Sequence, residues 1–286
     1  MAYPLTSETG NLTTHASVAS GDLLYLFGTA MRVTTDVATL NVNANEVEVT
    51  QATGSAVNMM ERINGLRDAT VDFSGIWPRT SPTAAMSSLI TYASGYVQYV
   101  NAWSLDITFP EIDITRFTGT ASTGWRTWMP GGMGSWSGSF TAKADDTTPP
   151  VMPSVGAASA ATFKAFEDGA TDPSFSGNIG TPRLSQRVRL GDFSELTYNY
   201  SGSGGLTQAP GSAMPGLLYN SSTVVVKPSW DLNGDGTPDN TCVLTVATGR
   251  THTFPAFWTR LTLNWKVDDV VRVTGTLRVA GAITTA

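Results

Sequence analysis

The chain has 286 residues; only 14% are charged, and 23 acids against 17 bases leave a net charge of −6. That balance argues against a protein that grips nucleic acid, which needs a dense Lys/Arg footprint. A single cysteine, Cys242, excludes an internal disulfide framework and any multi-cysteine metal site. Two histidines, His15 and His252, leave little material for acid–base or zinc chemistry, so neither an enzyme nor a cofactor is expected. The 28 Gly and 15 Pro suit many short strands joined by tight turns.

In chain order, the segment Met1 to Thr6 has neither a basic stretch nor an apolar core. The longest apolar runs, such as Leu23 to Phe27, fall far short of the ~20 residues of a membrane helix. Synthesis and folding in a cytoplasm, with no membrane partner, is the expectation. Over 82–94 the pattern predicts an α-helix. Ser81 is a cap, Pro82 suits the first position, Met86, Leu89, Ile90 and Ala93 recur at helical spacing, and Gly95 closes the end. Residues 184–200 read as a hairpin, with Leu184, Val188 and Leu190, a turn at Gly191–Asp192, then Leu196, Tyr198 and Tyr200. Asp231, Asn233, Asp235 and Asp239 open like a calcium loop, but its twelfth position is Cys242 rather than a bidentate Glu. The competing reading is a polar loop between strands 224–226 and 242–246, and no metal is assigned. The clearest hairpin follows: Leu261, Leu263, Trp265 and Val267, a turn at Asp268–Asp269, then Val271, Val273, Leu277 and Val279, all in period two.

The chain also repeats itself. Glu46-Val47-Glu48-Val49-Thr50 returns as Glu111-Ile112-Asp113-Ile114-Thr115, and the block from Gly65 to Phe73 returns as Gly132 to Phe140. The block from Arg183 to Thr207 aligns without gaps onto Arg260 to Thr284, a constant offset of 77 (260 minus 183). The order of half-motifs is thus N, N, C, C. Either one domain is inserted in another, or the halves have exchanged partners. The inserted form gives one domain of 1–105 plus 215–286 and a second of 106–214.

The block Glu111 to Phe117, the block Trp125 to Gly131 and the strand Ser135-Trp136-Ser137-Gly138-Ser139-Phe140 together resemble the major tail tube proteins of long-tailed bacteriophages. The ending from Val267 to Gly281 is similar to that family's closing hairpin. The resemblance implies two similar β-sandwich or barrel tube domains of antiparallel hairpins, each suited to the flanking helix at about 82–94. It implies a structural virion protein that stacks as rings into a tail tube, the conduit for the genome, located in the virion tail. Members with one domain form hexameric rings, so two domains per chain imply a trimeric, pseudo-sixfold ring. Implied partners are further copies of the chain, a tape measure protein, a tail terminator and distal tail proteins, while DNA passes without specific binding. Glu46, Glu48, Glu111 and Asp113, on polar strand faces, are expected to face the lumen, where negative charge lowers retention of DNA. Trp125, Arg126 and Trp128 are expected at an assembly contact, the competing reading being a loop folded back on its own domain.

Two other readings stand beside this one. The chain is then a different tail, neck or capsid component on the same fold, or a β-sandwich carbohydrate-binding module with Trp103, Trp230 or Trp258 as sugar platforms.

Overall fold

Apolar residues at every second position leave one face of a strand dry and the other wet, and that alternation governs most of this chain. The computed structural model describes residues 11–13, 34–48, 62–77, 89–93, 95–97, 99–115, 124–131, 134–144, 156–164, 174–189, 194–209, 224–225, 241–247, 250–267 and 271–286. The first strands are β1 (Asn11–Thr13), β2 (Thr34–Glu48), β3 (Arg62–Trp77), β4 (Leu89–Tyr92), β5 (Gly95–Val97) and β6 (Val100–Thr108). Then come β7 (Glu111–Asp113), β8 (Trp128–Pro130), β9 (Ser135–Lys143), β10 (Ser159–Lys164), β11 (Ser174–Arg187) and β12 (Glu195–Ala209). The last are β13 (Val224–Val225), β14 (Thr241–Ala247), β15 (Arg250–Lys266), β16 (Val271–Val279) and β17 (Thr284–Thr285). The protein is mainly β, and its strands pair in antiparallel ladders.

One sheet runs in the order β2-β3-β16-β15-β6-β9-β12-β11-β10-β4-β5, with β14 and β17 on β15, β1 on β14 and β13 on β12. Strands β7 and β8 form a separate ribbon. The duplication seen in the sequence reappears in the hydrogen-bond register. In the β11–β12 hairpin Arg183 faces Asn199 and Leu184 faces Tyr198; in the β15–β16 hairpin Arg260 faces Thr276 and Leu261 faces Gly275. Each position has moved by 77 (260 minus 183, 276 minus 199), and both ladders slip just before Arg183 and Arg260. The N-halves correspond as well, since Ala38 faces Phe73 as Trp103 faces Phe140. Their offsets are 65 (103 minus 38) and 67 (140 minus 73). Strand β3 pairs with β16 and β9 with β12, so the first N-half meets the second C-half and the second N-half meets the first C-half. The sheet therefore contains the quartet β2-β3-β16-β15 followed by its counterpart β6-β9-β12-β11, joined where β15 pairs with β6. The expected boundary at 105 falls inside β6. The repeated acidic block at Glu111 starts after this strand has ended, so the blocks most alike in sequence do not mark where the second N-half begins.

Of the helix expected over 82–94, residues 82–88 and 94 lie outside those described, and residues 89–92 are strand rather than helix. Leu89–Tyr92 pairs with β10 and buries Ile90 and Tyr92 on one side. The apolar spacing is ambiguous over so short a run, and tertiary pairing decides it.

The dry face holds Val71, Phe73, Leu105, Ile107, Phe140, Tyr198, Leu261, Leu263, Val273 and Leu277. It is closed by the sheet curling over itself. Trp103 of β6 lies 5.9 Å from Phe163 of β10, and Tyr92 of β4 lies 6.2 Å from Phe140 of β9, although neither pair of strands is adjacent. Phe140 stacks on Tyr198 at 4.6 Å and Phe163 on Tyr200 at 5.0 Å. The Tyr200 hydroxyl donates to the Ser104 carbonyl oxygen at 2.7 Å, and burial pushes its pKa up. A Cβ at position 138 would stand 2.0 Å from that same carbonyl, so only glycine fits the centre of the Trp136–Phe140 run.

Candidate assembly surfaces

Opposite the dry face, the same strands present a wet one. Its central rows are hydroxyls and amides cross-linked between neighbours: Thr108 with Ser135, Ser104 with Ser139, and Asn41 with Asp72. Asp72 and Asp106 punctuate these central rows. Asp72 accepts from Asn41 and from Thr276, and Asp106 is held in two-pronged fashion by Arg260, at 2.9 and 3.1 Å. The bond to Asp106 also raises the pKa of Arg260. Between these two groups lies a shallow recess of about 320 Å³ lined by Asp72, Phe73, Arg260, Thr262, Thr274, Gly275 and Thr276. Lys143, Lys266 and Arg272 share this face toward the strand ends, which makes it mixed in charge rather than acidic. Hydroxyls engage the two central carboxylates as well, Thr276 donating to Asp72 and Thr262 to Asp106.

The second feature is the β7–β8 ribbon. The quartet of β6 ends at Phe109–Pro110, where proline cannot continue a central ladder, and the chain turns to form this separate pair. The ribbon docks on the end of β3 and β16. Glu111 makes a two-pronged ion pair with Arg278, whose guanidinium also lies 3.8 Å from Asp68 and 4.1 Å from the Trp128 ring centre. Only 13% of the Arg278 side chain is exposed. Its pKa is raised, chiefly by the hydrogen bond to Glu111. Asp113 accepts from Thr115 and lies 3.4 Å from Arg126, and the Thr115 bond above all holds its carboxyl below the usual value. Arg67 stacks 4.7 Å from the Trp125 ring centre, and a parallel bridge joins these two residues through Arg67 N–H to Gly124 and Arg126 N–H to Arg67.

Compared with protein-family models and with curated proteins, this chain matches none.

The sequence-expected site residues therefore divide in an unforeseen way. Glu111 and Asp113, expected to face a lumen, and Trp125, Arg126 and Trp128, expected at an assembly contact, form one cluster within the chain. Arg278, Arg67 and Asp68 complete it, and no local signal points to them because Arg278 lies 167 residues from Glu111. Glu46 is exposed near the end of β2 with contacts of its own, and Glu48 closes that strand with only its backbone described. Asp72 and Asp106 were not singled out, although each sits between hydroxyl neighbours at alternating positions, a pattern legible in hindsight. The loop with Asp231, Asn233, Asp235 and Asp239 lies outside the described residues, as does Trp230. Trp103 and Trp258 are 2% and 0% exposed, which corrects their assignment as sugar platforms: each fills the core against an aromatic partner. Among the described residues no three His, Cys, Asp or Glu side chains converge on a metal position, and no helix is long and apolar enough to cross a membrane.

Proposed function

We propose that this chain is a structural subunit of a phage-type tail tube, acting by self-assembly into stacked rings through which the genome passes. The observation that carries the reading is the doubled quartet: two equivalent sets of four strands in one sheet, each with a dry face of buried side chains and a wet face that is polar among the described residues. A wall built from repeats of one unit follows naturally from such a sheet, and the wet face, with its hydroxyls and amides, becomes the channel lining. There Arg260 is matched by Asp106, so that cation holds passing phosphates less strongly than an unmatched one. The two units, 1–105 plus 215–286 and 106–214 with β6 reassigned to the second, make three chains equivalent to six units, hence a trimeric ring with pseudo-sixfold symmetry. The resemblance of the Glu111–Phe140 and Val267–Gly281 blocks to tail tube proteins supports the same reading. On it, a tape measure protein occupies the lumen before the genome does, and terminator and distal tail proteins cap the ends.

The test is electron microscopy of the purified, concentrated protein at moderate salt, with its mass in solution taken alongside. Stacked rings or tubes with a lumen wide enough for duplex DNA are the expected result, with three chains per ring. A monodisperse monomer that stays single even with tail extract overturns the proposal.

A further inference from the structure

The seam between the two quartets is itself a ladder. Arg260 faces Thr108, Leu261 faces Ile107, Thr262 faces Asp106, Leu263 faces Leu105, Asn264 faces Ser104 and Trp265 faces Trp103. On its dry side every member of the Leu261–Ile107, Leu263–Leu105 and Trp265–Trp103 pairs is buried; on its wet side stands the Arg260–Asp106 pair. This seam joins one edge of each quartet, and each quartet has the other edge too. Strand β2 corresponds to β6 at an offset of 65, and β11 to β15 at an offset of 77. Among the described residues β2 pairs with β3 alone, and residues 183–187 of β11 pair with β12 alone.

Carrying the two offsets through the seam sets Leu184 opposite Val42, Gln186 opposite Leu40 and Val188 opposite Ala38 on the dry side. On the wet side it sets Arg183 opposite Asn43, Ser185 opposite Asn41 and Arg187 opposite Thr39. The dry-side positions include two apolar residues left facing water: Val188 is 72% exposed and Val42 is 48% exposed. The wet-side positions are polar except for Val37, 58% exposed, which the same offsets set opposite Arg189. A long strand edge carrying exposed valines is a template for pairing unless something covers it. The two open edges lie at opposite ends of the same strand row, so one molecule cannot join its own pair without closing an eight-strand row on itself. A second copy presents the missing edge in the orientation that the chain already uses internally.

We propose that residues 183–189 of one copy pair antiparallel with residues 37–43 of the next, in the register that the β15–β6 seam prescribes. This inference rests on the self-assembly reading above and names the surface by which it happens. The contact is head-to-tail, so its repetition gives a ring where the rotation closes and a filament where it does not, and in either the internal and intermolecular seams alternate.

The experiment places cysteines at one predicted pair, Asn41→Cys with Ser185→Cys. The native Cys242 is buried and its thiol pKa is pushed up, so it does not compete under mild oxidation. Concentrated double variant is expected to yield covalent dimers and larger species on a non-reducing gel. Val42→Cys with Ser185→Cys, neighbouring in space but on opposite faces, is expected to yield almost none. A second variant, Val42→Lys with Val188→Lys, alters only exposed side chains and is expected to abolish rings while leaving the monomer's melting temperature unchanged. Rings that form without the Asn41→Cys/Ser185→Cys cross-link, or that survive the double lysine variant, overturn the proposed register. So does a cross-link found within a single chain. Cross-linked chains that never close into rings or tubes support the pairing and count against the tail-tube reading instead.

Discussion

Gly275 and Tyr198 occupy the same place in their quartets, offset by 77, yet they solve the same packing problem differently. Opposite Tyr198 stands Phe140, and the two rings stack. Opposite Gly275 stands Phe73, and the missing side chain is replaced by Trp258, whose ring lies 5.4 Å from that of Phe73. A Cβ on residue 275 would come within 2.5 Å of the Trp258 ring and 2.7 Å of the Phe73 ring. Both neighbours are held in the core, so neither can yield cheaply. Gly275→Ala is expected to destabilise the protein by about 1–3 kcal/mol, as overpacked cores generally do. Urea unfolding followed by tryptophan fluorescence measures it, and an unchanged midpoint would show that Trp258 can move aside. The glycine was legible in the sequence as an interruption of the Val271–Val279 alternation. Its reason was not, because the ring that claims the space is contributed from the other arm of the hairpin.

At the level of elements, the β7–β8 ribbon is anchored by charge and aromatic contact more than by a dry core, since Glu111, Ile112 and Asp113 are all exposed. Arg278 is the centre of that anchor. Replacing it with alanine leaves Glu111 and Asp68 facing one another without their cation and uncovers one side of Trp128, a loss of about 2 kcal/mol for a part-buried pair with a cation–π contact. Amide exchange across residues 111–115 and 124–130 is expected to quicken in Arg278→Ala while the β9–β12 ladder keeps its protection. Acid acts on the same anchor. The Asp113 carboxyl is depressed below its ordinary value of 3.8, so its contribution is complete above that value and disappears as pH falls through the lower folded one. The ribbon should therefore loosen below about pH 4, before the rest of the sheet, and the fluorescence of Trp125 and Trp128 reports it. Sequence reading sets Glu111 and Asp113 on a polar strand face. It missed their partners because an ion pair over such a separation leaves no trace in the neighbouring residues. The same limit explains β4: Met86, Leu89, Ile90 and Ala93 fit a helical stripe on spacing alone, whereas β10 supplies the ladder that makes Leu89–Tyr92 a strand.

For the molecule as a whole, the duplication was the most legible feature, since hairpins that keep an identical register must keep the period-two phase of their residues. Which halves meet was beyond the sequence, because local patterns specify strands and not their distant partners. The observed pairing has unequal spans. Phe140 of β9 meets Tyr198 of β12 across 58 residues (198 minus 140), while Asp72 of β3 bonds Thr276 of β16 across 204. Closing the longer span costs more chain entropy before any contact repays it. Pulse-labelled amide exchange during refolding is expected to show β9, β11 and β12 protected before β3 and β16, and simultaneous protection would argue for a single cooperative nucleus.

This nesting also has a consequence for biosynthesis. As the chain leaves the ribosome, β2 and β3 emerge early, with Val71 and Phe73 facing outward from a two-stranded hairpin that has nothing to cover it. Their partner β16 is made after nearly two hundred further residues. Throughout that interval the nascent hairpin is a sticky, half-finished surface among many identical copies, each able to adhere to its neighbour. A chaperone that holds the early segment until β16 appears is therefore expected to raise the yield of correctly folded chains.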